Sequence, residues 1–395
     1  MPVRWGRLGV NQTEQVTPVK RFFELSTGYR RRDFGPIPAR GRPRSFLSCN
    51  CKECVFMQIR AQWSAAKRVL PAVFLLLFSG VVLVSATKSP FTSKDKAYYA
   101  DPNLINYVRP GLVVKIQSAQ IAADGTVTAR VKFTDPKGVG LDIAGIETPG
   151  AIRGGNPSML IAYIPQGQHQ YVAYTTRTQV STIRPGERAV QAAADTGGRW
   201  TKVGDGEYTY TFGTKLPANY EKSATHSIGC YASRDLTEFG FGTALDDDVY
   251  HFVPDGSSRP APRDVIRTQS CTKCHVDTFA FHGTTGRVSM EMCVLCHTPQ
   301  TTDPDSGNTV DMAYMTHAIH MGRDLAKPYI VYGNANVKFD FSEVGFPTDK
   351  RNCQVCHEST TGAAQANQAL TRPTRMACGG CHNGVNFATG EDHAN

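Results

Sequence analysis

Apolar residues recur at every second position in the middle of the chain, a pattern typical of strands that bury one face. Leu112, Val114 and Ile116 follow this period, and it continues from Val127 to Phe133. Ala123-Asp124-Gly125 between the two runs indicates a hairpin turn. Further candidate strands, separated by Gly and Pro clusters, are Met159–Tyr163, Gln170–Thr175, Glu207–Phe212, His226–Ala232 and Asp248–Phe252. Short strands at this spacing predict an antiparallel β-sandwich or barrel over residues 100–254.

The alternation ends in a stretch rich in Pro and Gly, and residues 255–270 are predicted to be a linker. In residues 271–395 only Asp311–Met321 has the pattern of a helix, with Asp311 as its N-cap and Gly322 just past its end. The rest of this region is too poor in apolar residues to bury a core of its own, so bound groups are expected to supply one. The predicted fold class is an antiparallel β domain followed by a mostly irregular, partly helical domain.

The amino-terminal part of the chain divides into a basic stretch and an apolar run. The run Val69–Ala86 carries no charge, follows two basic residues and ends in small residues. Read from Met57, residues 57–86 are predicted to be a secretory signal peptide cleaved after Ala86. The alternative is an uncleaved membrane anchor formed by residues 69–86, which are just enough to span a bilayer. Residues 1–56 have no apolar period and are interpreted as a doubtful extension upstream of the true start.

The net charge of +9 is concentrated at the amino end of the chain. Residues 1–56 hold 11 Lys and Arg against 4 Asp and Glu, whereas the remaining 339 residues hold 32 against 30. The exported part therefore has no excess of basic residues from which a basic face could form. This argues against a role in binding nucleic acid.

Four copies of Cys-x-x-Cys-His stand in the last third of the chain, and this is the attachment signature of c-type haem. The two thiols bond the vinyl groups of one haem, and the adjacent imidazole reaches the iron. Zinc, thioredoxin-like and iron–sulfur sites also use Cys-x-x-Cys, but none of them needs the following His. The sequence predicts four c-type haems, attached through Cys271, Cys274, Cys293, Cys296, Cys353, Cys356, Cys378 and Cys381, with proximal iron ligands His275, His297, His357 and His382.

The other cysteines of the chain do not extend this pattern. Cys49, Cys51 and Cys54 lie in the basic amino-terminal stretch and lack a nearby fourth ligand for a metal clip. Cys230 lies in an alternating apolar run and is interpreted as a small buried residue.

The second axial position of each iron decides the function, because His on both sides gives an electron-transfer haem and an open position binds a substrate. The predicted distal ligands are the four other His of the region: His282, His317, His320 and His393. His317 and His320 share one face of the predicted helix and are expected to serve two neighbouring irons. The open alternatives are His251 and the sulfurs of Met290, Met292, Met312, Met315 and Met321, of which Met312 and Met315 are expected to pack on porphyrin.

Two further His have structural interpretations, His169 as a solvated surface residue and His226 as a hydrogen-bonded residue of the β domain. The favoured function is an electron-transfer protein rather than a substrate-converting enzyme. The alternative is a multihaem reductase of a small molecule with one open haem site. A third reading is a binding or scaffold protein led by the β domain.

Three runs of the chain resemble a known family. They are Asn308–Gly322 (NTVDMAYMTHAIHMG), Phe346–Cys353 (FPTDKRNC) and Val385–His393 (VNFATGEDH). They are similar to the outer-membrane decahaem c-type cytochromes of the OmcA/MtrC type, and the resemblance covers residues 100–395. Members of this family carry ten haems in two halves, whereas this chain has four motifs. A truncated reading frame and a genuine short form are both open.

The resemblance implies alternating β-barrel and multihaem domains that carry electrons across the cell surface. It implies extracellular acceptors such as ferric and manganese oxides or flavins, and other multihaem cytochromes or outer-membrane electron-transfer components as partners. It implies a location in the periplasm or at the outer membrane and cell surface. By the same resemblance, His317 and His320 fall on paired distal ligands, and His282 and His393 on others.

Overall fold

The structure is a computed structural model in which residues 89–275 and 279–392 are described. The basic extension and the signal peptide or anchor predicted for residues 57–86 lie outside the described residues. In the part that the structure describes, no helix is both long and apolar enough to cross a membrane.

Helix α1 (Pro102–Val108) precedes ten strands of the β domain. The strands are β1 Val113–Ile121, β2 Val127–Thr134, β3 Ser158–Ile164, β4 Val172–Ala173, β5 Thr176–Val180, β6 Arg188–Ala192, β7 Arg199–Gly204, β8 Glu207–Thr211, β9 Thr225–Leu236 and β10 Gly242–Phe252. They form two four-stranded sheets, in the orders β1-β2-β8-β7 and β10-β9-β3-β4, and a β5-β6 hairpin. All described pairings of these strands are antiparallel.

The two four-stranded sheets face each other across an apolar core. Val131 and Phe133 of β2 meet Ile161 of β3 and Ile228 of β9 in one buried cluster. Two carboxylates of β10 join the edge of β1 to the other sheet: the Val114 N–H donates to Asp246 Oδ2 and the Ile116 N–H to Asp248 Oδ2, both at 2.7 Å. The predicted sandwich is confirmed.

The predicted strand Gln170–Thr175 is wrong in extent. The N–H groups of Tyr174 and Thr175 both donate to the Ile161 carbonyl, at 3.0 and 3.4 Å, and this irregularity ends the pairing of β4 with β3. The chain then turns away into the β5-β6 hairpin. This hairpin and β7 were not predicted, because their mostly exposed residues lack a clear apolar alternation.

After the sandwich the chain is mostly irregular, with short helices and one small hairpin. The helices are α2 Thr268–Cys271, α3 Met290–Cys296, α4 Met312–Met321, α5 Gln368–Thr371 and α6 Arg375–Cys381, and the hairpin strands are β11 Ile330–Tyr332 and β12 Lys338–Asp340. Single 3-10 turns occur at Lys96–Tyr98, Arg153–Gly155, Thr237–Phe239, Gly283–Thr285, Gly322–Asp324, Asn334–Asn336, Cys353–Val355 and Ser359–Thr361. The predicted helix is confirmed in α4, where the Asp311 carboxylate accepts the N–H groups of Ala313 and Tyr314.

Helix α3 covers the outer face of the β10-β9-β3-β4 sheet. Met292 and Leu295 of α3 are buried against Leu160 and Tyr231 in a second apolar cluster. Gly229 of β9 permits this approach, because a Cβ there would lie only 2.9 Å from Met292 Cε. Strand β9 is therefore buried on both faces, and the segment that follows the sandwich shares a core with it.

Candidate haem-binding site

The four Cys-x-x-Cys-His motifs, numbered first to fourth in chain order, share one backbone hydrogen bond. The His N–H donates to the carbonyl of the first Cys at 3.0, 2.9, 2.9 and 2.8 Å in the four motifs. The first, second and fourth motifs begin within α2, α3 and α6, and the third forms a 3-10 turn. Positions one helical turn apart lie on the same side of the chain, so each motif presents its imidazole beside its first thiol.

The eight motif thiols form no disulfide among the described residues. Burial raises the pKa of Cys271 and of Cys296 to about 11 each. A protonated, buried thiol is slow in disulfide exchange, which favours the reduced form of these two cysteines, the form that bonds a porphyrin.

Three motif histidines each face one of the other histidines. The ring centroids are 5.8 Å apart for His297 and His282, 6.3 Å for His275 and His320, and 6.1 Å for His357 and His317. Two imidazoles on opposite sides of one metal, each with a metal–nitrogen bond of about 2.0 Å, have ring centres about 6 Å apart. The three pairs therefore have the spacing of axial ligand pairs, and the donor set fits haem iron.

Backbone carbonyls fix the orientation of two of these rings. His297 Nδ1 donates to the Val310 carbonyl at 2.8 Å, and His320 Nδ1 donates to the Thr316 carbonyl at 2.7 Å. Because the proton is on Nδ1, Nε2 keeps its lone pair and is the atom that can bind a metal. The Nε2 atoms of His297 and His282 face each other at 3.5 Å.

Burial also favours the neutral form of four of the paired imidazoles, which is the form that binds iron. It lowers the pKa of His282 to about 4, with a further contribution from Arg287 and His297. It also lowers the pKa of His297, His317 and His357. The Nδ1 atoms of His317 and His357 are buried, and neither has a partner among the described residues that meets the distance and angle of a hydrogen bond.

Helix α4 brings two of the pairs together, because His317 faces the third motif and His320 faces the first. The fourth motif lies against the same helix. A Cβ on Gly380 of α6 would be 2.6 Å from the Tyr314 carbonyl oxygen and 2.8 Å from His317 Cβ, so only glycine permits this contact.

The fourth motif histidine, His382, lines a cavity of about 700 Å³ together with Met321 and Asp392. This volume is within the range of about 300–1,000 Å³ that is usual for sites of small molecules and cofactors. The predicted distal ligand His393 lies outside the described residues, so its place relative to His382 stays a prediction.

The motifs are neighbours in space. Lys273 of the first motif forms an ion pair with Glu358, which directly follows the third motif. Burial raises the pKa of Cys381 in the fourth motif, and the Cys353 thiol of the third motif raises it further. Groups bound at the first, third and fourth motifs would accordingly lie close to one another.

Some of the alternative candidate ligands have other contacts. Ser227 Oγ lies 2.8 Å from His251 Nδ1, and Met290 and Met292 are buried in the cluster between α3 and the sheet. Met312 Sδ accepts the Thr316 hydroxyl at 3.1 Å. The interpretations of three other residues are confirmed: Cys230 is buried, His226 is buried with Nδ1 donating to the Ala224 carbonyl at 3.0 Å, and His169 is exposed.

Sequence reasoning missed the groups that surround the histidine pairs. Phe281 meets the His275 ring edge-on at 5.0 Å, and Phe346 meets the His320 ring edge-on at 5.6 Å. Phe281 directly precedes the candidate ligand His282, and this position was a weak sequence signal of its role. The carbonyls of Val310 and Thr316 gave no sequence signal, because every residue has a backbone carbonyl.

The chain is similar to known outer membrane cytochromes in sequence and in fold. Residues 263–395 match the family described as outer membrane cytochrome MtrC/MtrF-like, domains II/IV. A multiheme cytochrome MtrC from Shewanella baltica (strain OS185) is 25% identical over 218 residues, which are 53% of this chain and 29% of that protein. The crystal structure of the outer membrane decaheme cytochrome OmcA matches with a TM-score of 0.57 and 25% identity, over 69% of this chain and 43% of that one.

The β-sandwich, the four motifs and these matches make the chain similar to the multihaem c-type cytochromes. The resemblance seen in the sequence is confirmed: the chain is a relative of the OmcA/MtrC-type cytochromes. It spans less than half the length of the relatives that it matches.

Proposed function

We propose that this chain is an exported cytochrome that passes electrons through four haems, each held by two histidines. The observation that carries the proposal is the set of three facing histidine pairs with ring centroids 5.8–6.3 Å apart. Haem iron supplies a reversible one-electron change when it is bound. The proposed pairs of proximal and distal ligands are His275 with His320, His297 with His282, His357 with His317 and His382 with His393, and the covalent attachments are those of the eight motif cysteines.

The fourth pair rests on a different observation from the other three. His382 and Asp392 line one cavity, and His393 is the next residue in the sequence. This closeness in sequence to a residue of the cavity supports His393 as the second ligand of the fourth iron.

The residues of the site favour electron transfer over conversion of a bound substrate. Two imidazoles on each iron, as proposed, would leave no coordination site for a small molecule. The closeness of the first, third and fourth motifs, which the Lys273–Glu358 ion pair reflects, suits the passage of electrons from one haem to the next.

We propose that residues 100–254 form a domain that supports the haem region of residues 271–395 and presents it to partners. The contact of α3 with the outer face of the sheet supports this division of roles. The family description as an outer membrane cytochrome supports export to the periplasm or the cell surface. The proposed partners are other multihaem cytochromes, and the proposed acceptors are extracellular metal oxides or flavins.

Spectroscopy on the purified exported protein tests this proposal. We expect four covalent haems per chain by haemochrome assay, low-spin ferric signals by low-temperature electron paramagnetic resonance, and no carbon monoxide adduct after reduction. The reduced protein should be reoxidised by ferric oxide particles or by flavin. Stoichiometric binding of carbon monoxide, or the absence of covalent haem, would overturn the proposal.

A further inference from the structure

Arg287 is tied to one histidine pair by two consecutive hydrogen bonds. Its Nε donates to Thr285 Oγ1 at 3.2 Å, and that hydroxyl donates to the His282 carbonyl at 3.2 Å. The guanidinium carbon lies 4.9 Å from the centre of the Tyr231 ring, in the cluster that holds α3 against the sheet. Arg287 is also two residues before Ser289, the N-cap of α3, which ends at the second motif.

The two hydrogen bonds hold the positive charge of Arg287 beside the loop that carries His282. Its place just before the N-cap of α3 also puts it beside the helix that carries the second motif.

No carboxylate of the described residues forms an ion pair with Arg287. The Asp247 carboxylate is near, because it accepts the N–H groups of Val288 and Ser289, but burial raises its pKa.

We infer that the fixed positive charge of Arg287 raises the reduction potential of the iron held by His282 and His297. Reduction adds one electron to the ferric centre, so a fixed positive charge nearby stabilises the reduced form relative to the oxidised one. The inference rests on the proposed function, since it assumes a haem at the second motif. It assigns that haem a higher affinity for electrons than it would have without Arg287.

Arg153 provides a matched control. Its guanidinium carbon lies 5.1 Å from the same Tyr231 ring, and it donates to the Thr285 carbonyl at 3.3 Å. The Arg153 Nε donates to Ser158 Oγ at 2.9 Å, and not to the Thr285 hydroxyl that bonds the His282 carbonyl. Arg153→Gln therefore removes an arginine from the Tyr231 ring but leaves Arg287 and its charge in place beside the His282 loop.

The experiment is a redox titration of the holoprotein with dithionite, followed by visible absorption and electron paramagnetic resonance. In Arg287→Gln we expect the equilibrium constant for reduction of one haem to fall about tenfold, which is about 59 mV for one electron. We expect the other three haems to be unchanged, Arg287→Lys to keep the original potential, and Arg153→Gln to leave all four haems unchanged.

Combining Arg287→Gln with His282→Met identifies the affected haem, because the new axial ligand changes the spectrum of the second site alone. The inference is overturned if all four potentials are unchanged in a fully loaded Arg287→Gln protein, if they shift together, if Arg153→Gln gives the same shift, or if the shift falls on another haem. A failure of the proposed function would be seen beforehand, as missing haem or carbon monoxide binding in the unaltered protein.

Discussion

The Nε2 atoms of His282 and His297 face each other at 3.5 Å, and their rings are inclined by only 26°. Two imidazoles that share one iron need about 4 Å between these atoms, because each metal–nitrogen bond is about 2.0 Å. His297 is fixed by the Val310 carbonyl, and His282 lies in the loop that leads to α3. The polypeptide itself therefore holds the two imidazoles at nearly the separation that the proposed iron site needs.

Replacing His282 should open one iron and no other. In His282→Ala we expect one high-spin ferric haem per chain and one carbon monoxide bound after reduction, because the opposite imidazole loses its partner. Four covalent haems should remain, since the motif cysteines are unchanged. His169→Ala, which alters an exposed residue of the β domain, is the control and should bind none. If the His282 variant stays fully low-spin, another side chain holds that position.

The two histidines of α4 should act independently. His317→Ala and His320→Ala are each expected to bind one carbon monoxide per chain, and the double variant two, because the rings face different motifs. The adducts of the single variants should differ in spectrum and potential. One shared carbon monoxide in the double variant would show that both histidines serve the same iron.

Gly380→Ala should loosen the contact between α6 and α4. The added methyl group would lie 2.6 Å from the Tyr314 carbonyl oxygen, and overpacking of this kind costs about 1–3 kcal/mol of unfolding free energy. Denaturant unfolding of the holoprotein and its haem content measure the effect. The neighbouring Gly379→Ala is the control, because its nearest contact would be 3.3 Å, to a Tyr314 ring carbon. Equal losses in the two variants would contradict the proposed role of Gly380.

Asp246 should make stability depend on pH. Burial raises its pKa to about 6, and the charges of Asp247 and Asp248 add to this, while the N–H of Val114 opposes it. The folded protein then binds this proton more tightly than the unfolded chain, whose carboxyl pKa is about 3.9, so unfolding free energy should fall as pH rises from about 4 to 6. The loss is at most about 3 kcal/mol and is complete above that window.

Asp246→Asn should flatten this dependence, because an amide oxygen still accepts the Val114 N–H but does not titrate. Chemical denaturation between pH 4 and 8 measures the slope. The Asp246→Asn protein should keep a smaller slope of unfolding free energy against pH, because burial also raises the pKa of Asp247. Asp235→Asn, on the adjacent strand with a lowered pKa, is the control and should not alter the slope between about pH 4 and 6. An unchanged slope in Asp246→Asn would assign the effect to other groups.

The sequence predicted those features that local pattern determines. Alternation located the core strands, and spacing placed His317 and His320 on one helix face. The partner of each histidine was beyond prediction, because it depends on how α4 lies between segments far away in the chain. The full length of β9 was also underestimated, because helix α3 buries its second face and the strand no longer alternates.

The approach of Met292 to Gly229 also bears on how the molecule matures. Helix α3, which carries the second motif, packs directly on the β10-β9-β3-β4 sheet, whereas the third and fourth motifs follow it through loops and short helices. A chain that completes its sandwich first would hold that motif against an already folded sheet. We expect haem attachment to begin at the second motif, with the haem there helping to order the segments that carry the other motifs.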